Sequence, residues 1–319
     1  MSLKNKNILV TGGAGFIGSH LVDRLIKEKP KKLVVLDNFF LGKMRNLEEA
    51  KKNFPKLKIY KESLTNYNKT KKIILENKIE VVFDLAVIPL PPSLVKPEWS
   101  FEENVKMAVN ICRLAREKAF KTLIHFSSSE AYGTAKKVPM NEEHPLDPRT
   151  SYAASKTAAD MLILSYCNCF GIDASILRPF NNYGPRQNEK AYAGVIPLTV
   201  KRIKNNESPV VYGNGKQTRD FIFVKDTADA AVKIYNSNNT RGKILNIASG
   251  KETNIIDIIK TIMKIMAYKK AIKFEAPRKG DVQRHCADVS LAKKLINFKP
   301  RISFSEGMKE TVAWYDKII

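Results

Sequence analysis

The chain has 319 residues, 44% of them hydrophobic, and a formal net charge of +23. That length exceeds one ordinary core and predicts a large domain with a smaller lobe, while no apolar run approaches the ~18 residues that a membrane span requires. The charge invites phosphate or nucleic acid, yet the lysines are spread along amphipathic segments such as DRLIKEKPKK and NKTKKIILENK without a helix-turn-helix, zinc-finger or RNA-binding signature, so no nucleic-acid partner is expected.

The opening MSLKNKNILV enters a strand directly, with no signal-peptide pattern, which makes the cytoplasm the expected location. NILVTGGAGFIGSHLVDRLI then reads as strand, glycine turn and helix. Gly12, Gly15 and Gly18 stand three apart, and Gly13 to Gly18 also satisfies G-x-G-x-x-G. Glycines serve such a turn because it is tight, its backbone must approach a pyrophosphate, and the helix that follows must pack on its strand with its N-terminus towards the phosphates. The next strand, KLVVLD, ends at Asp37, nineteen residues after Gly18. A carboxylate there can accept hydrogen bonds from an adenosine ribose diol and would repel a 2′-phosphate, which favours NAD, while Lys43 and Arg45 nearby leave NADP open.

KLKIYK, VVFDLA, TLIHFSS and ASILRPF continue the alternation of short apolar runs with helical patterns. The alternation predicts an α/β fold, a Rossmann-type doubly wound parallel sheet, with ligands beyond the carboxyl ends of the strands. After the fourth strand comes Val87-Ile88-Pro89-Leu90-Pro91-Pro92-Ser93, a stiff apolar loop. After the fifth comes the serine triplet Ser127–Ser129, and then SYAASKTAADMLILSY. In that last segment Tyr152 and Lys156 are four apart, on one helix face, where a fixed ammonium and a positive nicotinamide ring would draw a phenol down towards working pH.

Beyond Phe180 the pattern loosens into turn-rich NNYGPRQNEKAYAG and YGNGKQTRD before FIFVKD and KILNIAS return as strands. The expected division is a nucleotide domain of 1–180 with a return segment at 219–248, and a smaller substrate lobe made of 181–218 and 249–319. The four cysteines show no zinc-type double pair and are expected to be reduced packing residues, with no metal.

With TGGAGFIGSH, LDN, FSSSEAYG, SYAASK, RPFNNYGPRQ and QTRDFIFV in that order, nearly the whole chain resembles the nucleotide-sugar epimerases and dehydratases of the extended short-chain dehydrogenase/reductase family. The resemblance implies that Tyr152 is the acid/base, that Lys156 holds the nicotinamide ribose, and that Ser128 bonds the reacting hydroxyl. It places NAD along Gly12, Gly15, Phe16, Ile17, Gly18, Asp37, Asn38, Leu85 and Ala86. It also assigns Asn104, Asn181, Val195, Arg219, Arg278, Asp281 and His285 to a UDP-sugar, and implies a homodimer paired through helices within 99–119 and 151–170.

Two departures stand out. Glu62-Ser63 replaces the family's Gly-Asp after the third strand, and Ser129-Glu130 replaces the Asp-Glu pair with which 4,6-dehydratases move protons at C5 and C6. The missing aspartate argues for a 4-epimerase over a dehydratase, while Ser-Glu also occurs in uronate decarboxylases. AYAGVIP resembles the epimerases that accept N-acetylated UDP-sugars, so UDP-GlcNAc/UDP-GalNAc is the expected pair and UDP-Glc/UDP-Gal the second. A non-catalytic NAD-binding module is disfavoured by the intact Ser128, Tyr152 and Lys156.

Overall fold

A computed structural model describes residues 1–189, 194–277 and 282–318. Seven parallel strands form the central sheet: β1 (Asn7–Thr11), β2 (Lys32–Asp37), β3 (Lys58–Lys61), β4 (Val81–Asp84), β5 (Thr122–Phe126), β6 (Asp173–Pro179) and, after three short strands of a different lobe, Ile244–Ile247. Those three are β7 (Asn181–Tyr183), β8 (Val210–Tyr212) and β9 (Thr218–Phe223), so Ile244–Ile247 is β10; β11 (Glu252–Asn254) and β12 (Lys273–Glu275) follow. The order in space is β3-β2-β1-β4-β5-β6-β10. The chain thus reverses direction across the sheet between β1 and β4, which opens a crevice at their carboxyl ends.

Except at the edge strand β3, both faces of the sheet are buried, which explains why its strands read as continuous apolar runs. Side-chain alternation divides β1 between two cores. Ile8 and Val10 join Leu21, Val22 and Leu25 of the helix Phe16–Ile26 and Ala231 and Ile234 of the helix Val224–Asn236. Leu9 points to the opposite face, among Ile73 and Ile74 of the helix Tyr67–Glu76, Ile111 of Pro97–Arg116 and Ile163 of Ser151–Phe170.

A third core lies apart from the sheet. Tyr183, Phe221 and Phe223 from β7 and β9 pack with Ile196 and Val200, Ile258 and Ile262, and Met308 and Val312, from the helices Val195–Lys204, Ile255–Ile265 and Phe304–Ile318. FIFVKD is split: β9 ends at Phe223 and a helix starts at Val224. β9 pairs with β7 and β11, so the chain regains the central sheet through the helix Val224–Asn236 and β10 and not from 219. Among the described residues no helix is long and apolar enough to cross a membrane.

Candidate active site

The crevice holds a cavity of about 480 Å³. Its first wall is the glycine turn, where two positions admit no side chain. Gly12 has φ +64°, and a Cβ on it would stand 2.9 Å from the backbone of Leu85 and Ala86; a Cβ on Gly18 would stand 2.2 Å from the Gly12 carbonyl oxygen. Gly15 caps the helix Phe16–Ile26 without a side-chain acceptor, so the first N–H groups of that helix are left for an anion. Phe16, Ile17 and Gly18 complete this wall.

Asp37 ends β2 at the cavity edge and is buried. Its Oδ2 accepts from Ala14 N (2.9 Å) and its Oδ1 from Phe39 N (2.8 Å). A carboxylate offers about four lone-pair sites, so acceptor capacity remains for a diol. Burial pushes the Asp37 carboxyl up from its usual range, and the two backbone donors oppose that. The cations that left NADP open are engaged: Lys43 and Arg45 both pair with Glu189, Arg45 at 2.7 Å. Glu62 and Ser63 also line the cavity, with Glu62 bridged to Lys69 at 2.9 Å.

At the far end lie Leu85, Ala86, Ser128, Glu130, Tyr152, Lys156 and Asn181. Thr150 caps the helix Ser151–Phe170 by accepting from Ala153 N, which fixes Tyr152 and Lys156 in its first two turns. The Ser128 hydroxyl stands beside the Tyr152 phenol and accepts from Glu130 N at 3.2 Å. Desolvation pushes the phenol up to about 12, against the Ser128 hydroxyl and with the help of the Glu130 charge. The Lys156 ammonium is bonded to the Phe126 carbonyl and to His125 Nε2. Burial moves Lys156 itself below the usual lysine range, opposed by Asp160 and Asp84.

Four residues assigned to substrate stand elsewhere. Asn104 is buried outside the cavity: its Oδ1 accepts from Ile88 N (2.8 Å), and its Nδ2 donates to Ile88 O (3.0 Å) and Ser155 Oγ (3.0 Å). Its whole hydrogen-bonding capacity on the side of the apolar loop is used to hold that loop. His285 is fully buried with Nε2 2.6 Å from Gly133 O, its ring edge-to-face with Phe180 at 5.7 Å. Desolvation pushes it down to about 4, and Phe180, not His285, forms the cavity wall. Val195 starts a helix in the third core, behind Gly194, which does line the cavity. Arg219 on β9 is buried, donates to Thr218 O at 2.8 Å and does not line the cavity. Arg278 and Asp281 lie outside the described residues.

Several walls of the cavity carry no signature in the sequence. Phe40 follows Asn38 and meets Trp99, from the first turn of Pro97–Arg116, edge to face at 5.7 Å; both line the cavity, as do Pro89, Leu90 and Pro91 of the apolar loop. Because β1 lies between β2 and β4, this pair joins the loops on either side of β1 and roofs the groove at its end. Arg186, from the quoted GPRQ, also lines the cavity and pairs with Asp23 at 2.7 Å. Apolar walls carry no chemistry-specific spacing, which is why only the fold reveals them. Among the described residues no cluster of His, Cys, Asp or Glu could hold a metal ion.

A family model described as GDP-mannose 4,6 dehydratase matches residues 9–311. The UDP-N-acetylglucosamine 4-epimerase of Methanobrevibacter ruminantium, solved with UDP-N-acetylmuramic acid, is 36% identical with a TM-score of 0.91, over 99% of this chain and 100% of that one. A UDP-glucose 4-epimerase of Mycolicibacterium smegmatis is 32% identical over 96% of this chain and 97% of its own length. A UDP-N-acetyl-alpha-D-glucosaminuronate decarboxylase of Bacillus cytotoxicus is 33% identical over 98% of both. The dTDP-glucose 4,6-dehydratase of Streptomyces venezuelae, solved with NAD, is 26% identical with a TM-score of 0.92, over 98% of this chain and 97% of that one. With the parallel sheet, the glycine turn and the Ser128–Tyr152 pair in one crevice, the chain belongs to the GDP-mannose 4,6 dehydratase family, the NAD-dependent nucleotide-sugar epimerases, dehydratases and decarboxylases of the extended short-chain dehydrogenase/reductase fold.

Proposed function

We propose that this enzyme interconverts UDP-GlcNAc and UDP-GalNAc at C4 through a 4-keto sugar. The observation that carries the reading is the Ser128–Tyr152 pair at the end of a groove fitted for NAD, with Ser129 buried beside it where a dehydratase carries its aspartate. Likeness over full length to a UDP-N-acetylglucosamine 4-epimerase supports the N-acetylated pair.

NAD would be held by the turn at Gly12, Gly15, Phe16, Ile17 and Gly18, by Asp37 and Asn38 at the adenosine ribose, by Leu85 and Ala86, and by Lys156 at the second ribose. When bound, it supplies the hydride acceptor and donor for C4 and a positive ring that favours phenolate. Tyr152 takes the proton of the sugar 4-hydroxyl and returns it, and Ser128 holds that oxygen in place for both transfers. Desolvation keeps the resting phenol protonated, so an unliganded site does not ionise at neutral pH. Asn181 orients the sugar from the cavity wall. The third core, with β7, β9 and β11, forms the substrate lobe. Two chains would pair through Pro97–Arg116 and Ser151–Phe170, whose Val109, Met161 and Phe170 are exposed.

Proton NMR in D₂O tests this reading. UDP-GlcNAc should equilibrate with UDP-GalNAc without deuterium on carbon and without consumption of added NADH. Deuterium at C5 with loss of the C6 hydroxyl would replace the epimerase by a dehydratase with Glu130 as proton carrier. CO₂ release from a UDP-uronate would replace it by a decarboxylase.

A further inference from the structure

Under the cavity floor three ionisable side chains stand in a row. Asp84 ends β4, His125 lies on β5 and Lys156 on the helix Ser151–Phe170, with 2%, 3% and 5% of their surfaces exposed. Asp84 Oδ2 is 2.8 Å from His125 Nδ1, and His125 Nε2 is 3.1 Å from Lys156 Nζ. The direction of every bond in the row follows from its far end. Thr11 Oγ1 accepts the N–H of Leu85 at 3.0 Å and of Ala86 at 3.1 Å, so its single hydrogen goes to Asp84 Oδ1, 2.6 Å away. An ionised Asp84 only accepts, so the imidazole proton sits on Nδ1. Nε2 then presents a lone pair to the ammonium. A second ammonium hydrogen goes to the Phe126 carbonyl, which leaves one of the three on a side chain that lines the cavity.

We infer that Asp84 and His125 are positioning residues for Lys156: the carboxylate locks the imidazole tautomer, and the imidazole holds the ammonium with one N–H offered to the cavity. The inference rests on the reading of that groove as the dinucleotide site. Neither residue touches substrate, and neither belongs to the Ser128, Tyr152 and Lys156 set.

Asp84→Asn isolates the effect because it keeps the shape. Thr11 still needs an acceptor, so the amide oxygen must face Thr11 and the NH₂ must face His125 Nδ1. The imidazole proton is then forced to Nε2, against the ammonium. Nitrogen-15 spectra of labelled histidine, in the protein alone, should show the Nδ1–H form of His125 in the wild type and the Nε2–H form in Asp84→Asn. With NAD, the variant should bind the cofactor more weakly and turn over roughly ten- to a hundredfold more slowly, the range for loss of an outer orienting group, with KM for the UDP-sugar within about twofold. His125→Gln, which keeps an acceptor near the Nε2 position, should turn over faster than His125→Leu, which does not.

An Nε2–H tautomer in the wild type would overturn the inference. So would Asp84→Asn with wild-type turnover and NAD affinity, or, should that variant fail to fold, equal rates for His125→Gln and His125→Leu. A wild type that epimerises no UDP-sugar would sink the functional reading alone, since the tautomer spectra and NAD affinities still decide the role of the row.

Discussion

Asn104→Ala separates two roles for one side chain, gripping a loop or touching the sugar. The structure gives it three hydrogen bonds: two to the backbone of Ile88 and one to Ser155 Oγ. Ser155 keeps its own bond to Tyr152 O at 2.8 Å, so its loss is small. Ile88 N and O are left without their partner in a buried place, at about 1–3 kcal/mol for each group that stays unsatisfied. The sum is about 2–4 kcal/mol once partial relaxation of the loop is allowed for. At roughly 2–4 °C per kcal/mol for a large domain, the melting temperature should fall by about 4–16 °C. Since Val87 to Pro91 line the cavity, NAD affinity should fall with it, while KM for the UDP-sugar measured at saturating NAD should hold. Differential scanning fluorimetry and steady-state kinetics on the same preparation give both numbers. A melting temperature unchanged within about 1 °C, together with a tenfold or greater rise in KM, would refute the loop-holding argument and return Asn104 to the substrate.

Tyr152→Phe should lower turnover by roughly 10²–10⁴ while NAD still binds, read by product NMR and by cofactor titration. Gly18→Ala drives a methyl to 2.2 Å from the Gly12 carbonyl oxygen, a backbone atom that cannot swing away, so the purified protein should carry no NAD and lose about 1–3 kcal/mol of stability to urea. Asp37→Ala should narrow the preference for NAD over NADP, since it removes an acceptor and a negative charge together; isothermal titration with both dinucleotides measures it. His285 is held down to about 4 in the fold against 6.5 for the free side chain, so the unfolded chain binds more protons between these values. Stability should therefore fall as pH drops from 6.5 towards 4, and His285→Phe should flatten that part of the profile in denaturant titrations.

Glycines and paired side chains at fixed spacing were readable because backbone geometry imposes them. Gly12 and Gly18 have no room for a methyl, and Tyr152 and Lys156 need one helical turn between them, so the pattern survives in one dimension. Five of the six strands up to Phe180 were readable for a similar reason, since a sheet buried on both faces demands unbroken apolar runs; the edge strand β3 keeps only Ile59 and Tyr60 half-buried between exposed lysines. Asn104 and His285 were not, because an amide or an imidazole carries the same letters whether it faces a ligand or a neighbouring carbonyl. Only the positions of Ile88 and Gly133 decide that. The partners of Lys156 were hidden for the same reason: the spacing puts it on the face of Tyr152, but the Phe126 carbonyl and His125 that hold its ammonium lie about thirty residues away in sequence.

The ring pair of Phe40 and Trp99 has a kinetic corollary. With 45% and 38% of their surfaces exposed, the two rings form an open bridge and not a sealed wall. Anything lying across the end of β1 must part them to escape sideways, and an aromatic contact of this kind adds about 0.5–1.5 kcal/mol to that path. At 1.4 kcal/mol per decade, the residence time of the molecule beneath lengthens by up to roughly tenfold. For the proposed epimerase, which would lend a hydride and take it back within each cycle, a slow exit is no handicap. It would uncouple that reaction from the oxidation state of the surrounding nicotinamide pool.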